Sequence, residues 1–599
     1  MLFGRYVNKY YLRYAGFFLI GIAALVVVDI AQLFVPQYLG EIVELLSNDV
    51  LTAENKERIV QIIFYTLGIA GIMMVGRMLW RFTIFHASFK IEAGLRQEMF
   101  SKAERLSQRY FHENKVGTVM AWFTNDIETI EEYFGWGTIM MVDAFFLSIL
   151  VIVMMFRLEP LLSIIALIPV ALIAVWGALV EKFMSMRWEM RQKAFDDLYD
   201  FSQENFTGIS VIKAFVKETQ ELHAFAKQAK KNKDANIGFT RVAVLFDSSI
   251  GIIISLIFTL IMGFGGWYVY CTVKGTPIRF MEHTVTLSPG ELITFVGYFD
   301  ILIWPMMAMG QIVSMRSRAK TSLKRITHYL DEPEEIHDAP NAVELKDVKG
   351  KITFNNLTFA YPGSKTNSLE NISLEIAAGE TIGVVGKIGS GKTTLVNSLL
   401  RLYNTDNNAI LIDDQDLMSV TITSLRESIS YVPQDNFLFS DKISNNIGFY
   451  RDGLPLVNIQ EGAAFADVDK DILDFKDQYD TISGERGVTL SGGQKQRISI
   501  ARAYVKKAPI MILDDSVSAV DVKTEEEILS HIKEARKGLT TIVVASRVST
   551  VSHLDKIIVL NDGKLEAFDS PKELMKISPT YRNMVYLQEL EREVNGEDD

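Results

Sequence analysis

The chain has 599 residues, too many for one hydrophobic core, and 49% of them are hydrophobic. This composition predicts an apolar membrane part and a water-soluble part in one polypeptide. The net charge of −12 excludes nucleic acid as the main partner, because a phosphate backbone needs a basic surface. The single cysteine, Cys271, excludes an internal disulfide framework.

The front half of the chain contains six long apolar stretches. Each has roughly the 20 residues that cross about 30 Å of hydrocarbon. The predicted spans are Ala15–Leu39, Ile59–Phe85, Trp136–Phe156, Leu161–Phe183, Val244–Tyr270 and Glu291–Met315. Aspartates interrupt four of these spans, at Asp29, Asp143, Asp247 and Asp300. The helices are therefore expected to face one another or a cavity rather than lipid on all sides.

The distribution of lysine and arginine predicts the orientation of the spans. The N-terminus and the segments after the second and fourth spans are rich in these residues, whereas the alternate loops are short or poor in them. The positive-inside rule then places both termini and the back half of the chain in the cytoplasm. The chain is therefore predicted to reside in the cell membrane and to cross it several times.

The two long basic segments are predicted to be helical extensions of the spans. Phe100, Ala103 and Leu106 recur at helical spacing. Short breaks near Tyr110–Gly117 and Asn205–Gly208 fit small cross-helices that contact a soluble domain. Periodicity alone fits ordinary cytoplasmic helical hairpins equally well.

The composition changes after residue 330, so residues 1–330 are predicted to form a transmembrane domain. Residues 331–350 contain Pro333, Pro340 and several acids, and they indicate a linker. From 351 to 590, short β-rich segments alternate with helices, as in an α/β domain. Residues 591–599 form an acidic tail, predicted to be the solvated end of a helix.

A glycine-rich segment after the predicted strand Thr381–Val385 carries a phosphate-binding pattern. Its residues, Gly386, Lys387, Ile388, Gly389, Ser390, Gly391, Lys392 and Thr393, fit G-x-x-x-x-G-K-[ST], with a helix expected from Thr393 onward. The glycines let backbone N–H groups surround phosphates, and the helix N-terminus adds partial positive charge. Lys392 is expected to bridge the β- and γ-phosphates, and the Thr393 hydroxyl to bind Mg²⁺. Thr394 is also expected to contact the nucleotide.

Two later segments extend this interpretation. The apolar strand Ile510–Leu513 ends in Asp514, a carboxylate placed to hold Mg²⁺ directly or through water. The sequence Leu490, Ser491, Gly492, Gly493, Gln494 precedes a helix predicted to begin near Lys495, which gives a second phosphate-facing helix start. One nucleotide does not need two such starts in one domain. The second is therefore expected to complete a site on another domain.

The ordered set of motifs resembles the nucleotide-binding domain of ATP-binding cassette (ABC) proteins. The set comprises the Walker A segment Gly386–Thr393, Gln434, the signature Leu490–Gln494, Asp514, and Ser518–Asp521. The six spans resemble the type IV exporter arrangement, in which two cytoplasmic loops carry coupling helices. The implied fold is an all-α six-helix transmembrane domain with long cytoplasmic helical extensions, followed by an α/β P-loop nucleotide-binding domain.

The resemblance also implies roles for single residues. ATP and Mg²⁺ are the implied cofactors. Tyr361 is expected to stack on adenine, Gln434 to contact Mg²⁺ and sense the membrane domain, and Asp521 to lie at the dimer interface. Thr481–Gly487 resembles the segment that meets coupling helices. Two cassettes pair head-to-tail, so each ATP lies between one Walker A segment and the other chain's signature.

Two residues depart from the family's pattern. Asp515 stands where the family usually has glutamate, and Ser546 stands at the switch histidine. The first change withdraws the carboxylate from the attacking water, and a misplacement of about 1 Å can cost on the order of 10²-fold in rate. The second removes an imidazole that can carry positive charge. Together they predict slow turnover of bound ATP; in the alternative interpretation Asp515 still acts as base and Ser546 is compensated nearby.

A defective catalytic pair beside an intact signature is typical of one chain of a heterodimeric exporter. The predicted partner is a different half-transporter that carries the catalytic glutamate and histidine. A homodimer with slow ATPase is the alternative. Two alternatives belong to other functional classes, namely an ATP-gated channel and a sensor subunit.

The expected substrates are hydrophobic or amphipathic drug-like molecules, with lipid or peptide export as the alternative. The spans hold many methionine and aromatic residues, which suit varied apolar ligands but also suit lipid contact and packing. These residues include Phe145, Phe146, Met154, Trp176, Met262, Trp304, Met306 and Met307. Asp29 and Asp300 could attract a cation within a cavity, or they could pair with Arg77 or with polar groups of another span. Membrane lipids and the small-molecule substrate complete the predicted partners.

Overall fold

The computed structural model describes residues 4–47, 52–280, 283–484, 487, 490–516 and 522–595. For residues 173–175, 178, 181–182, 280, 283, 522 and 591–595 it describes the backbone only. The chain divides into two compact units. One comprises Met1–Met99 and Met120–Leu330, and the other comprises Phe100–Val119 and Asp331–Asp599.

The first unit is built from long helices. The helices up to residue 331 are α1 (Arg5–Arg13), α2 (Ala15–Ser47), α3 (Ala53–Ala103), α4 (Gln108–Glu113), α5 (Val116–Ala121), α6 (Ile127–Glu132), α7 (Thr138–Val142), α8 (Ser148–Leu158), α9 (Pro160–Thr207), α10 (Ile209–Ala214), α11 (Glu218–Val273) and α12 (Pro289–Asp331). π-Helical turns at Trp122–Asp126, Tyr133–Gly137 and Asp143–Leu147 join α5 to α8. A hairpin of β1 (Ile278–Phe280) and β2 (His283–Val285) follows α11.

Five of these helical segments are long and apolar enough to cross a membrane: α2, α3, Val116–Leu158, α11 and α12. They carry five of the six predicted spans. The fourth predicted span lies in α9, whose described apolar stretch is Pro160–Leu172. With 51 residues, α3 is roughly 75 Å long at about 1.5 Å per residue. Such helices extend well beyond the hydrocarbon, which confirms the predicted extensions.

Local sequence explains where one long helix begins. Pro160 occupies the first turn of α9, where the absent N–H group is not needed. Glu159 precedes it in extended conformation, and its side chain accepts a hydrogen bond from the Leu161 N–H at 3.2 Å. This cap satisfies one of the unpaired donors at the helix start.

Glycines allow close packing of the first and sixth spans. A Cβ atom on Gly40 would lie 2.0 Å from Thr294 Oγ1, and one on Gly290 would lie 2.3 Å from the Gly40 carbonyl oxygen. Small residues of this kind let membrane helices approach each other closely without a hydrophobic driving force.

Farther along α12, Arg325 donates to both oxygens of the buried Asp126, at 2.7 and 2.5 Å.

The second unit contains a six-stranded and a four-stranded sheet with surrounding helices. The strands are β3 (Ile352–Phe359), β4 (Leu369–Ile376), β5 (Thr381–Gly386), β6 (Ile410–Ile412), β7 (Gln415–Asp416), β8 (Ile429–Val432), β9 (Ile510–Asp514), β10 (Thr540–Val544), β11 (Lys556–Asn561) and β12 (Lys564–Asp569). The helices are α13 (Lys392–Leu399), α14 (Ile422–Glu427), α15 (Ile443–Ile447), α16 (Leu456–Phe465), α17 (Asp469–Leu473), α18 (Gly492–Val505), α19 (Val522–Ala535), α20 (Val548–Val551), α21 (Pro571–Ile577) and α22 (Pro579–Asn595).

The six-stranded sheet has the order β12-β11-β5-β10-β9-β8, and all its pairs are parallel except β11 with β12. Every residue of β9 and β10 is buried, as expected for central parallel strands covered on both faces. The carboxyl ends of β5, β8, β9 and β10 therefore meet at one edge, where open α/β sheets bind ligands. The four-stranded sheet is antiparallel, with the order β4-β3-β6-β7.

The short helix α4 forms in the first predicted break, and it belongs to the second unit. Arg109 Nη1 donates to Glu335 Oε1 at 2.5 Å, and Ser107 Oγ donates to Glu335 Oε2 at 2.9 Å. His112 Nδ1 lies 3.4 Å from the hydroxyl of Tyr403. These contacts favour the cross-helix interpretation over a free hairpin for this segment. In the second break, α10 begins directly after Gly208.

Candidate nucleotide site

The segment that joins β5 to α13 forms a tight loop, and at two positions in it only glycine fits. A Cβ atom on Gly386 would lie 2.3 Å from the Leu560 carbonyl oxygen. Gly391 has φ +98°, and its Cβ atom would lie 2.7 Å from the Ser368 carbonyl oxygen. Ile388, at the tip of the loop, is 99% exposed. The loop thus presents backbone N–H groups ahead of the α13 N-terminus, as a phosphate cradle requires.

Two side chains of the loop are placed for phosphate contact. Lys392 Nζ donates to the carbonyl oxygens of Gly386 and Lys387, at 2.9 and 3.1 Å. Burial lowers the pKa of the Lys392 ammonium group. Ser390 is 2% exposed, and its hydroxyl oxygen lacks a hydrogen-bond partner among the described residues. A buried polar atom without a partner is what an anionic ligand would satisfy.

Asp514 ends β9 beside the start of α13. Thr393 Oγ1 donates to Asp514 Oδ1 at 3.4 Å, and the Tyr431 hydroxyl donates to Asp514 Oδ2 at 3.5 Å. Burial raises the pKa of the Asp514 carboxyl to about 6, against the effect of the Thr393 hydrogen bond. A carboxylate and a hydroxyl this close supply the oxygen ligands that Mg²⁺ prefers. The residues therefore fit the cation that the sequence predicts here.

The two residues that depart from the family pattern contact each other. Ser546 Oγ donates to Asp515 Oδ2 at 3.1 Å, and the Ser546 backbone N–H donates to Asp515 Oδ1 at 3.4 Å. Asp515 has φ +46°, and its own N–H donates to the Val544 carbonyl oxygen at 2.9 Å. Because β9 and β10 are adjacent strands, residues 31 positions apart in the chain come together here.

Gln434 and Tyr361 lie at different parts of the site. Gln434 is exposed and follows the end of β8 by two residues, on the sheet edge that also carries Asp514. The Tyr361 hydroxyl lies 3.1 Å from Thr394 Oγ1 on α13. The rings of Phe359 and Tyr403 meet Tyr361 edge-on, with centroids 5.1 and 5.2 Å away.

The signature segment starts α18 with a reciprocal cap. Ser491 Oγ accepts from the Gln494 N–H at 3.2 Å, and Gln494 Oε1 accepts from the Ser491 N–H at 3.0 Å. This capping box starts the helix at Gly492, three residues before the predicted Lys495. Gly492 has open space around its Cα atom, and Gly493 follows it in the first turn of α18.

Some predicted residues lie outside the described part of the chain. Asp521 and the rest of Ser518–Asp521 belong to the 517–521 gap, and four residues within and just after Thr481–Gly487 are also outside it. Sequence reasoning missed Tyr431 and Tyr403. Tyr431 lies on β8, which pairs with the strand that ends in Asp514, and this pairing is visible only in the structure. Tyr403 has no motif around it.

Comparison with known proteins decides the family. A family model described as the ABC transporter transmembrane region matches residues 18–306, and one described as ABC transporter matches residues 369–518. The chain is 32% identical over 588 residues to YheI of Bacillus subtilis, a probable multidrug resistance ABC transporter ATP-binding/permease protein, covering 98% of this chain and 97% of the relative. This chain belongs to the ABC transporter family.

Other relatives and a solved structure of the ABC transporter family agree. The multidrug resistance-like ATP-binding protein MdlA of Escherichia coli is 32% identical, over 98% of this chain and 96% of that one. An ATP-dependent lipid A-core flippase of Syntrophus aciditrophicus is 32% identical, over 85% and 82%. A bacterial Atm1-family ABC exporter solved with ATP bound gives a TM-score of 0.75 at 25% identity, over 97% and 98%. The predicted fold class is confirmed: this ABC exporter joins a helical transmembrane domain to an ATP-binding α/β domain and belongs to the ABC ATPases.

Proposed function

We propose that this ABC exporter works as one half of a heterodimer and contributes a degenerate ATP site. The observation that carries the proposal is the hydrogen bond between Ser546 and Asp515, the two positions that depart from the family pattern. The signature that would complete the partner's hydrolytic site keeps its capping box.

The Asp515–Ser546 contact explains why both changes matter together. A general base must reach the proton of the attacking water, and the Asp515 carboxylate is one methylene shorter than glutamate. Both of its oxygens accept hydrogen bonds from Ser546 at 3.1 and 3.4 Å, which hold it against the loop after β10. The Ser546 hydroxyl donates its only proton to that carboxylate, so it does not replace an imidazole. The pair is therefore expected to activate water poorly.

The residues proposed to bind the nucleotide match the family pattern. Lys392, the buried Ser390 hydroxyl and the N–H groups of 386–394 would hold the phosphates of ATP, and Tyr361 would contact adenine. Thr393, Asp514 and Gln434 would bind Mg²⁺. A bound Mg²⁺ ion would neutralise phosphate charge. Asp521 is proposed for the dimer interface on the family pattern alone.

The substrates we propose are hydrophobic or amphipathic drug-like molecules. Relatives named for multidrug resistance support this class. Phe145, Met262 and Met307 are 63%, 50% and 52% exposed on span helices, where such molecules could contact them. Lipid export is the second candidate, because a relative of equal identity is named a lipid A-core flippase.

The arrangement in the membrane is also proposed. Residues 1–330 form the transmembrane domain, 331–350 the linker, 351–590 the nucleotide-binding domain and 591–599 the acidic tail. The exporter resides in the cell membrane with both termini and the nucleotide-binding domain in the cytoplasm. The asymmetric distribution of lysine and arginine supports this orientation.

Native mass spectrometry of the exporter, tagged and purified from its host in mild detergent, tests the proposal. We expect a one-to-one complex with a second, different half-transporter. In that complex, Asp515→Asn should leave most of the ATPase rate, whereas glutamine in place of the partner's catalytic glutamate should abolish it. A homodimer that hydrolyses ATP at a rate normal for the family would refute the proposal.

A further inference from the structure

Two aspartates on membrane-spanning helices are buried and incompletely bonded. Asp29 on α2 is 3% exposed, and its Oδ2 atom has no hydrogen-bond partner among the described residues. Asp143 is 7% exposed, and its Oδ1 atom is equally unpartnered within the described chain. Asp143 opens the π-helical turn Asp143–Leu147, and such turns within α-helices often mark functional sites.

Among the residues that the structure describes, one side chain donates a hydrogen bond to these carboxylates. Trp304 Nε1 on α12 donates to Asp143 Oδ2 at 2.9 Å. The helix α2 packs against the segment 138–147, which brings Asp143 near enough to Asp29 for their charges to interact. In the described part of the chain, neither carboxylate forms an ion pair with a lysine or an arginine. The side chains of Arg77 on α3 and Asp300 on α12 are exposed, so neither Asp29–Arg77 pairing nor an Asp29–Asp300 site forms in this conformation.

Elementary electrostatics makes two ionised carboxylates untenable here. An ionised carboxylate removed from water requires a cation or several donors, and this requirement is strictest inside a membrane. Two neighbouring carboxylates repel each other, so they do not both ionise at neutral pH. A protonated carboxyl group gains an O–H donor that can satisfy an unpartnered oxygen. One bound proton would therefore supply a hydrogen-bond donor and remove one of the two negative charges.

We propose that Asp29 and Asp143 form a proton-binding site inside the membrane domain and hold at least one proton in this conformation. Their low exposure suits a proton better than an organic cation. The pair and Trp304 come from the first, third and sixth spans, so any rearrangement of these helices changes the burial of the pair and its affinity for the proton. The proposal depends on the membrane domain alone and is independent of the heterodimer.

Infrared spectroscopy of the full-length exporter in lipid tests the proposal. At neutral pH we expect the carbonyl stretch of a protonated carboxyl group, shifted in ²H₂O, in the difference spectrum between the unmodified protein and Asp29→Asn. Asp143→Asn should also remove this band. Asp300→Asn, which changes an exposed aspartate of the sixth span, should leave it in place. Absence of the difference band at every pH at which the protein stays folded would overturn the proposal.

A second measurement keeps the test valid if the asparagine variants fold poorly. Because the native state holds a proton that the unfolded chain has lost at neutral pH, the thermal unfolding midpoint should fall as pH rises. Asp29→Asn should flatten that slope. Trp304→Phe, which removes only a donor to Asp143, should retain the carboxyl band but shift it. An unfolding midpoint that depends on Na⁺ in the unmodified protein, and not in Asp29→Asn, would replace the proton with a metal cation and overturn the proposal.

Discussion

At the scale of single residues, the Asp515 carboxylate accepts two hydrogen bonds from Ser546, at 3.1 and 3.4 Å. The Ser546 hydroxyl and backbone N–H therefore occupy the two oxygens of the Asp515 carboxylate. Lengthening Asp515 alone would push the carboxylate toward a serine that cannot act as the imidazole does. Changing Ser546 alone would leave a short carboxylate without its hydroxyl donor. We therefore expect the two positions to behave as one unit.

Restoring both family residues should revive hydrolysis at this site. In a complex whose partner carries glutamine at its catalytic glutamate, Asp515→Glu and Ser546→His together should raise the ATPase rate on the order of 10²-fold. Each single change should raise it far less, because the family pair acts jointly. Steady-state phosphate release measures the rates. Full recovery from Asp515→Glu alone would contradict the coupling of the two positions.

The loop glycines provide a second prediction. Gly391→Ala places a Cβ atom 2.7 Å from the Ser368 carbonyl oxygen at φ +98°, so the loop must distort. Since such strain costs about 1–3 kcal/mol, ATP affinity should fall by roughly 5- to 100-fold. Gly363→Ala is the matched control, because Gly363 also has positive φ but has open space around it. Equilibrium binding of a fluorescent ATP analogue distinguishes the two variants, and equal affinity in both would refute the role of the close contact.

At the scale of elements, the end of α3 and the short helix α4 are bonded to the segment that follows α12. Arg109 and Glu335 lie 2.5 Å apart, and Lys102 and Glu334 lie 3.1 Å apart. Side chains of Arg109 and Glu335 are 35% and 33% exposed, so the pair is expected to contribute little to global stability. Because it joins the segment 100–119 to residues after 331 within the second unit, we expect the pair to matter more for coupling than for stability.

Charge reversal tests that role. Glu335→Arg should reduce ATP-driven extrusion of a lipophilic dye from membrane vesicles several-fold, while the unfolding midpoint changes little. Adding Arg109→Glu should restore part of the extrusion, because the ion pair forms again in reverse. Glu344→Arg is the control, since Glu344 in the same linker is 68% exposed. An equal loss in Glu344→Arg would show that linker charge, and not this contact, controls extrusion.

At the scale of the whole molecule, the basic residues predict which ends of the spans face the cytoplasm. The chain has one cysteine, so Cys271→Ser removes all native thiols. In that background Lys274→Cys, just after α11, should react with an impermeant maleimide in intact cells. Lys217→Cys, just before α11, should react only after permeabilisation. The reverse labelling pattern would contradict the proposed orientation.

Patterns that are local in the chain could be recognised from sequence. Apolar stretches predicted the spans, because crossing hydrocarbon sets both the length and the polarity of a helix. The glycine spacing of Gly386–Thr393 predicted the phosphate loop, because only glycine permits such close approaches of the backbone. The ends of elements were less certain, as the start of α18 at Gly492 shows, since a side-chain cap decided it.

The sequence by itself determined the two-part fold, the family and the positions of the nucleotide motifs, because each depends on neighbouring residues. Only the tertiary structure decided which distant side chains meet. It joined Ser546 to Asp515 through adjacent strands, and it placed Asp143 against Trp304 from another span. Such contacts depend on strand order and helix packing, and neither is encoded in a short stretch of chain. The same reason explains why the sequence left the surroundings of Asp29 open, whereas the structure packs its helix against the segment that carries Asp143.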